Sequence, residues 1–218
     1  MKKNERNGQR KFRTIGSRSK DPDLGYYLIV TDTKETERNY IKGLKESIPE
    51  ELRRRLVIKV TQTETKDLVN ETLNLAALQP QYSEPWIIFD RDQVKNFDDI
   101  IKKAENSGIK VAWSNPCIEI WFSTYFNEMP VSQTSTACCS DFSKIFKDKV
   151  KQRYLKSDDK IYHKLYKYGN EELAIKLAEN KLKEQVRNEV KKYSEMCPAT
   201  TVHRLIKDIR EKIEKNEI

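Results

Sequence analysis

The sequence of 218 residues predicts an α/β fold, in which helices flank a central, mainly parallel sheet of four strands and a lobe of helices follows. Over residues 21–127, four short apolar runs alternate with segments of helical spacing, and parallel strands require such crossover connections. Residues 128–218 contain few strand-like runs and many charged segments with helical spacing. We therefore expect an α/β domain at 21–127 and a helical extension, packed on the same domain, at 128–218.

Two apolar runs predict the first half of the sheet. Residues 26–30 form a continuous apolar run of strand length, which follows the chain-breaking residues Pro22 and Gly25. Residues 36–47 place their apolar side chains on one helical face, and residues 56–60 alternate between apolar and polar. The pattern indicates a strand, a helix and a second strand.

The second half of the sheet follows the same pattern. Residues 68–78 have helical spacing, and residues 86–89 form a third short apolar run. Residues 98–106 predict another helix, with Gly108 where a C-terminal cap belongs, and residues 109–113 predict the fourth strand.

The C-terminal lobe is predicted from three charged segments of helical spacing. These segments cover residues 141–154, 171–193 and 202–214, and Thr200 and Thr201 suit the N-cap of the last one. The small polar residues at 132–140 predict a mobile loop.

Nearly all of the excess positive charge lies in the first 20 residues. They carry eight basic residues against Glu5 alone, a net +7 of the chain's +8, which leaves +1 for the rest. We interpret residues 1–20 as a flexible basic arm that reaches for nucleic-acid phosphates, with Lys11 and Arg13 among the contacts. The alternative is a tail that only increases solubility.

The sequence does not indicate a membrane protein or a secreted protein. The chain contains no run of about 18 apolar residues, and its amino terminus lacks the apolar core of a signal peptide, so we expect a cytoplasmic protein. The four cysteines include no Cys-x-x-Cys pair, and the chain has two histidines. We therefore expect reduced thiols and no structural zinc site.

Acidic residues follow three of the predicted strands. Asp32 and Glu37 come after the first strand, Asp90 and Asp92 after the third, and Glu119 shortly after the fourth. The carboxyl ends of parallel strands meet at one edge of the sheet, so these carboxylates should converge. Converging carboxylates repel one another unless they are protonated, paired or bound to a cation, and their hard oxygens suit Mg²⁺ or Mn²⁺. The sequence thus predicts a metal site that could activate water against a phosphate ester.

Other roles for these acids remain open at this level. Asp90 or Asp92 could cap the following helix or pair with Arg91. Glu119 could be a further ligand, a base directed at the metal-activated water, or a buried acid bonded to the helix that opens at Pro116.

Three polar residues beside the acids are candidates for contacts with nucleic acid. Lys34 and Arg91 could bind phosphates or balance the local negative charge. Asn115 could bind a phosphate or fix its own loop. We place His163 and His203 outside the site, on helix surfaces or at caps.

Four separated segments carry a resemblance to a known family. The segments LIVTDTKETERNYIKGL, WIIFDRD, AWSNPCIEIWF and CPATTVHRLI resemble the RloB family of abortive-infection proteins, whose fold is similar to the Toprim domain. The match covers most of residues 10–210. The resemblance implies a Toprim-like fold and a metal-dependent nuclease that acts as a toxic effector in anti-phage defence, with an AAA-type ATPase as partner.

The resemblance also implies roles for particular residues. The Toprim-like glutamate falls on Asp32, and the paired acids fall on Asp90 and Asp92. Related sequences typically read Thr-Glu-Gly-Glu-Lys-Thr-Glu in the first motif, whereas this chain has Asp32 and Thr33 in place of the glutamate and glycine, and Tyr125 where the family often has histidine.

Two functions are therefore predicted. The first is a Mg²⁺-dependent or Mn²⁺-dependent phosphodiesterase that acts on RNA, tRNA included, or on DNA. The alternative is a catalytically weakened subunit that binds nucleic acid or a partner in a defence complex. Either protein could act as a homo-oligomer.

Overall fold

The computed structural model describes residues 24–81, 84–92 and 94–215. The predicted basic arm of residues 1–20, with Lys11 and Arg13, lies outside the described residues. Its role stays a prediction.

One sheet lies at the centre of the described chain. Its strands are β1 (Gly25–Thr31), β2 (Leu56–Gln62), β3 (Glu84–Asp90), β4 (Lys110–Asn115) and β5 (Ala199–Thr200). The order across the sheet is β2-β1-β3-β4-β5, and the first four strands run parallel while β5 pairs antiparallel with β4. The prediction of a mainly parallel α/β fold is confirmed, but the described sheet has five strands rather than four. A strand of two residues is too short to produce a periodic pattern.

Helices connect and cover these strands. Within the α/β part they are α1 (Thr36–Ser47), α2 (Glu50–Arg53), α3 (Leu68–Leu78), α4 (Phe97–Asn106) and α5 (Glu119–Thr124). After residue 127 they are α6 (Ser135–Val150), α7 (Ile161–Tyr168), α8 (Glu171–Arg187) and α9 (Val202–Glu214). Gly108 follows α4 with φ of +75°, as the predicted cap requires.

The prediction of a mobile loop at 132–140 is wrong for most of that segment. Helix α6 begins at Ser135, and the Thr134 hydroxyl accepts a hydrogen bond from the Ala137 backbone nitrogen at 3.3 Å. Cys138 is fully buried, so the first turn of α6 is anchored in the core despite its small polar neighbours. The helix predicted at 171–193 ends earlier, at Arg187, and α7 was not predicted.

Thr201 precedes α9 but does not cap it with its side chain. Its hydroxyl instead accepts a hydrogen bond from the Trp113 backbone nitrogen at 2.9 Å and donates to the Val111 carbonyl at 3.1 Å. The Thr200 hydroxyl accepts from the Val202 nitrogen at 3.2 Å and donates to the Trp113 carbonyl at 3.1 Å. The two threonines therefore attach the start of α9 to β4.

Both faces of the sheet are buried, as the continuous apolar run of β1 requires. Successive side chains of a strand point to opposite faces, so Tyr27 and Ile29 pack on one side while Leu28 and Val30 pack on the other. The first face is covered by α1 and by helices α5 to α9, and the second mainly by α3 and α4. The helices that follow residue 127 thus share a hydrophobic core with the sheet. The domain boundary at 127 stays a prediction.

A buried polar network joins α8 and α9. The carboxylate of Glu171 accepts hydrogen bonds from Arg210 Nε at 2.6 Å, from the Tyr125 hydroxyl at 2.8 Å and from the Tyr162 hydroxyl at 3.1 Å. We expect Arg210→Met to lower the free energy of unfolding by about 2 kcal/mol, because it leaves a buried charge without its partner. The loss is smaller than for a fully buried pair because the Arg210 side chain is 20% exposed.

Urea denaturation measures this difference, and Lys207→Met on the same helix is the matched control. Lys207 lies 3.9 Å from Glu211, and both side chains are about half exposed, so its loss should change stability by less than about 1 kcal/mol. Equal effects of the two substitutions would contradict a stabilising role for the network.

Candidate active site

Carboxylates gather at the carboxyl edge of the sheet. Asp32 follows β1, Asp90 ends β3, and Glu119 begins α5 just beyond β4. These residues, together with Glu37 from the first turn of α1 and with Asp92, line one cavity of about 650 Å³. The parallel order β1-β3-β4 places their ends side by side, so acids that are distant in sequence become neighbours.

The chain turns off the sheet directly after Asp90. The Arg91 backbone nitrogen donates to the Ser114 carbonyl at 2.8 Å, and the Asp92 nitrogen donates to the Pro116 carbonyl at 3.0 Å. Asp92 has φ of +21°, which marks the turn. The turn presents Asp90 to the carboxylate cavity and places Asp92 at its border with a neighbouring cavity.

Asp90 and Asp92 neither cap helix α4 nor pair with Arg91 in the described structure. Helix α4 has Asn96 at its N-cap position and no side-chain hydrogen bond there. Arg91 Nη1 donates to the backbone carbonyl of Asp92 at 2.9 Å, not to a carboxylate. Asp90 Oδ2 accepts from the Ile118 backbone nitrogen at 3.0 Å, which ties it to the entrance of α5.

Three of the carboxylates use one oxygen and leave the other without a partner. Asp32 Oδ2 accepts from the Thr65 hydroxyl at 2.9 Å, and Glu119 Oε1 accepts from the Tyr154 hydroxyl at 2.9 Å. Within the described part of the chain, Asp32 Oδ1, Asp90 Oδ1 and Glu119 Oε2 are buried and have no hydrogen-bond partner. Buried polar atoms are rarely left so, and three around one cavity fit a divalent cation that takes oxygen ligands.

The electrostatics of the cavity lead to the same interpretation. Burial raises the pKa of Asp32 to about 6, and burial together with the charges of Asp32 and Glu119 raises the pKa of Glu37 to about 7. Burial and then the charges of Glu37, Glu119 and Asp32 raise the pKa of Asp90 well above its usual range. A bound cation would reverse this repulsion and hold the carboxylates ionised.

The raised pKa values predict how stability depends on pH in EDTA. The pKa is raised from an ordinary 3.8 to about 6 for Asp32 and from 4.5 to about 7 for Glu37, so the folded state binds more protons than the unfolded state in that interval. The stability contributed by the two acids is therefore present below pH 4 and lost as pH rises to about 7. A pKa difference of one between the folded and unfolded states corresponds to about 1.4 kcal/mol, so we expect a loss of several kcal/mol.

The comparison is with a variant that carries both Asp32→Asn and Glu37→Gln, because titrating groups distant from these acids then cancel in the difference. The pKa of Asp90 falls when the two charges are removed, so its contribution belongs to the same electrostatic effect. Urea denaturation at several pH values should show the original protein losing stability relative to the variant between pH 4 and 7. Added Mg²⁺ at pH 7.5 should restore it. A pH-independent difference would contradict the electrostatic interpretation.

A second cavity of about 520 Å³ adjoins the first and shares Asp92 and Ser135 with it. The Ser135 hydroxyl donates to Asp92 Oδ1. Arg91 and Asn115 line this second cavity. The Asn115 amide donates to the Ser194 carbonyl at 3.0 Å, so in this structure it fixes the segment that precedes β5.

Lys34 is exposed and lines the carboxylate cavity, and Lys156 lies there as well. Lys156 Nζ is 3.8 Å from Glu119 Oε1. Burial lowers the pKa of the Lys156 ammonium, but Glu119, Cys139 and Cys117 together outweigh burial, so the pKa is raised overall. Lys156, Tyr154 and Thr65 were not predicted from the sequence, because they are distant along the chain from the acids they contact and follow no spacing rule.

The two histidines lie elsewhere. His163 Nε2 is 3.2 Å from Glu46, and the His163 side chain is 39% exposed. His203 is buried and lines a different groove, and burial lowers its pKa to about 4. Neither side chain lines the carboxylate cavity.

The two departures from the family motifs are accommodated in different ways. Thr33 stands where related sequences have glycine, but its φ is not positive, so the backbone here does not require glycine. The Thr33 hydroxyl donates a hydrogen bond to Glu37. Tyr125 stands where the family often has histidine, and its hydroxyl lies 2.8 Å from both the Tyr40 hydroxyl and Glu171 Oε2. Tyr125 does not line the carboxylate cavity.

Two cysteines approach the acidic site. Cys117, Cys139 and Glu119 each offer one ligand atom, and the three atoms lie within 4.8 Å of one another. The described cysteines are free, with no disulfide among them. This group was not expected from the sequence, because 22 positions separate Cys117 from Cys139 and spacing alone does not bring them together.

The fold and the site define a mixed α/β protein with an acidic site at the carboxyl edge of a mainly parallel sheet, compatible with a Toprim-like fold. The model of the RloB-like protein family matches residues 27–209, and the chain belongs to this family. No curated protein and no solved structure gives a significant match. Within the described residues, no helix is both long and apolar enough to span a membrane.

Proposed function

We propose that this protein is a metal-dependent nuclease that cleaves phosphodiester bonds in nucleic acid. The observation that carries the proposal is the convergence of Asp32, Glu37, Asp90 and Glu119 on one cavity, where three carboxylate oxygens have no partner within the described residues. Membership of the RloB-like family supports it.

The roles of the acids follow from their positions. Asp32, Asp90 and Asp92 hold Mg²⁺ or Mn²⁺ through carboxylate oxygens. When bound, such an ion polarises a phosphate ester and makes water more acidic. Glu37 is 1% exposed and keeps the cavity negative, which favours cation binding. Glu119 accepts a proton from the attacking water.

Cationic and amide side chains then contact the substrate. Lys34 at the first cavity and Arg91 at the second bind phosphates on either side of the scissile bond. Asn115 adds a polar contact or holds the wall of the second cavity, and Lys11 and Arg13 of the basic arm bind phosphates further along the chain.

The proposed biological role rests on the family alone. The chain belongs to the RloB-like family. We propose that it is a toxic effector in anti-phage defence, acts in the cytoplasm and works with an AAA-type ATPase that directs or restrains it. If an AAA-type ATPase is encoded beside the gene, expression of the protein with and without that ATPase tests this role. Toxicity that the ATPase leaves unchanged would contradict the partnership.

A cleavage assay tests the proposed activity. Purified protein is incubated with tRNA, unstructured RNA, single-stranded DNA and duplex DNA, each with Mg²⁺, with Mn²⁺ or with EDTA. We expect cleavage of at least one substrate with metal and none in EDTA. Cleavage that persists in EDTA, or no cleavage of any substrate with or without the ATPase, would overturn the proposal.

One observation favours the alternative of a catalytically weakened binding subunit. Asp32 is one methylene shorter than the family's glutamate, and one of its oxygens already accepts from Thr65. Gel-shift measurements on the same substrates distinguish the two functions. Tight binding without cleavage at any metal concentration would support the binding subunit.

A further inference from the structure

We propose that Cys117, Cys139 and Glu119 form a second metal site, which takes a thiophilic divalent ion of the Zn²⁺ class. This site is distinct from the Mg²⁺ site proposed above in its ligand chemistry, and the inference does not depend on nuclease activity.

The three ligand atoms are almost close enough to share one ion. They lie within 4.8 Å of one another, whereas two ligands of a tetrahedral zinc ion with bonds of about 2.3 Å stand about 3.7 Å apart. Closing the difference takes movements of about 1 Å or less, which rotations of side chains supply. Cys117 lies between β4 and α5, and Cys139 lies in the first turns of α6.

An unpartnered oxygen on the carboxylate of this group points to a ligand. Glu119 is 1% exposed, its Oε1 accepts from the Tyr154 hydroxyl, and its Oε2 has no partner within the described residues. Lys156 Nζ is 3.8 Å from Oε1, but the Lys156 side chain is 59% exposed and leaves Oε2 unsatisfied.

The kind of metal follows from the donor set. Two thiols with one carboxylate favour a borderline ion such as Zn²⁺ over Mg²⁺, which prefers oxygen ligands alone. Cys138 belongs to the same apolar cluster as Cys117 and is not one of the three grouped ligands. Three protein ligands leave a fourth position for water or for an atom of a bound molecule.

Occupation of this site would connect α6 to the catalytic acids. Glu119 also lines the acidic cavity, so an ion on the thiol side would fix the position of its carboxylate relative to Asp90. Ser135, which donates to Asp92, begins the same helix as Cys139. The thiophilic ion would thus hold two parts of the acidic cavity in place.

The test is a titration of Co²⁺ into the reduced, metal-free full-length protein, followed by near-ultraviolet absorption. Thiolate bonds to Co²⁺ give a charge-transfer band, which carboxylate ligands do not produce. We expect one equivalent of Co²⁺ to produce the band and Zn²⁺ to remove it. Cys117→Ser and Cys139→Ser should each abolish the band, and Glu119→Gln should weaken binding at least tenfold.

Two controls keep this site separate from the other. Cys197→Ser removes a thiol outside the cluster, and Asp90→Asn removes a ligand of the proposed Mg²⁺ site, so both should retain the band. Absence of the band in the original protein, its survival in both cysteine variants, or a Cys117–Cys139 disulfide that forms in place of metal binding would overturn the proposal. A loss of the band in Asp90→Asn would also contradict two separate sites.

A measurement on the unaltered protein covers the case in which a cysteine variant does not fold. Cys139 and Cys197 are both partly exposed, whereas Cys117 is buried. Zn²⁺ should protect Cys139 from alkylation by iodoacetamide at least tenfold relative to Cys197, as peptide mass spectrometry reports. Equal protection of Cys139 and Cys197, or protection of neither, would count against the site.

Discussion

Asp90→Asn is expected to reduce metal-dependent cleavage by about 10³-fold. Asp90 ends β3 at the centre of the acidic cavity, and its Oδ1 has no partner within the described residues. Removal of a carboxylate that binds the metal forfeits several kcal/mol of transition-state stabilisation, and each 1.36 kcal/mol is a factor of ten in rate. Initial cleavage rates at saturating Mg²⁺ measure the loss.

The same substitution should leave the fold intact. Asparagine can still accept the hydrogen bond from the Ile118 nitrogen, and it removes a buried carboxylate whose pKa the neighbouring acids raise. At pH 8 in EDTA, the Tm of Asp90→Asn should therefore equal or exceed that of the original protein. Asp148→Asn is the matched control, because that side chain is 68% exposed. Cleavage retained in Asp90→Asn would remove this aspartate from the active site.

Glu37→Gln is expected to reduce cleavage about 100-fold, with a larger metal requirement. Glu37 supplies negative charge beside Asp32. Its carboxylate accepts a hydrogen bond from the Thr33 hydroxyl, and a glutamine side chain could accept the same bond. Groups that act on metal ligands in this way typically change metal affinity or activity by 10–100-fold. Cleavage measured over a range of Mg²⁺ concentrations should show partial recovery at high Mg²⁺.

Glu50→Gln provides the control for this substitution, since Glu50 is exposed at the start of α2 and away from the cavity. If Glu37→Gln instead lowers the maximal rate without changing its dependence on Mg²⁺, Glu37 does not act through the metal.

The strands of the α/β part could be predicted because a strand buried on both faces of the sheet is a continuous run of apolar residues. Most of its helices could be predicted from the helical spacing of their apolar residues. The run at 86–89 is apolar throughout, since β3 lies between β1 and β4 with helices on either side. By contrast, β5 depends on its partner: Thr200 and Ala199 pair with Ser114 and Asn115 at the far end of β4. That pairing is a tertiary contact, and two residues of sequence do not encode it.

The acids of the site could be predicted for a related reason. Parallel topology brings strand ends together, so Asp32 and Asp90 become neighbours once the sheet is predicted. Tyr154 and Lys156 reach Glu119 from the segment between α6 and α7, whose path across the cavity only the packed structure reveals. The small polar residues at 132–140 indicate a loop, so the sequence does not predict that Cys139, which lies in α6, approaches Cys117.

Isothermal titration calorimetry with Mg²⁺ tests the acidic metal site most directly. The proposed site predicts saturable binding at millimolar Mg²⁺ or below in the original protein, the same binding in Asp148→Asn, and none in Asp90→Asn. No detectable binding at millimolar Mg²⁺, or identical binding in Asp90→Asn, would contradict a metal centre at the end of β3.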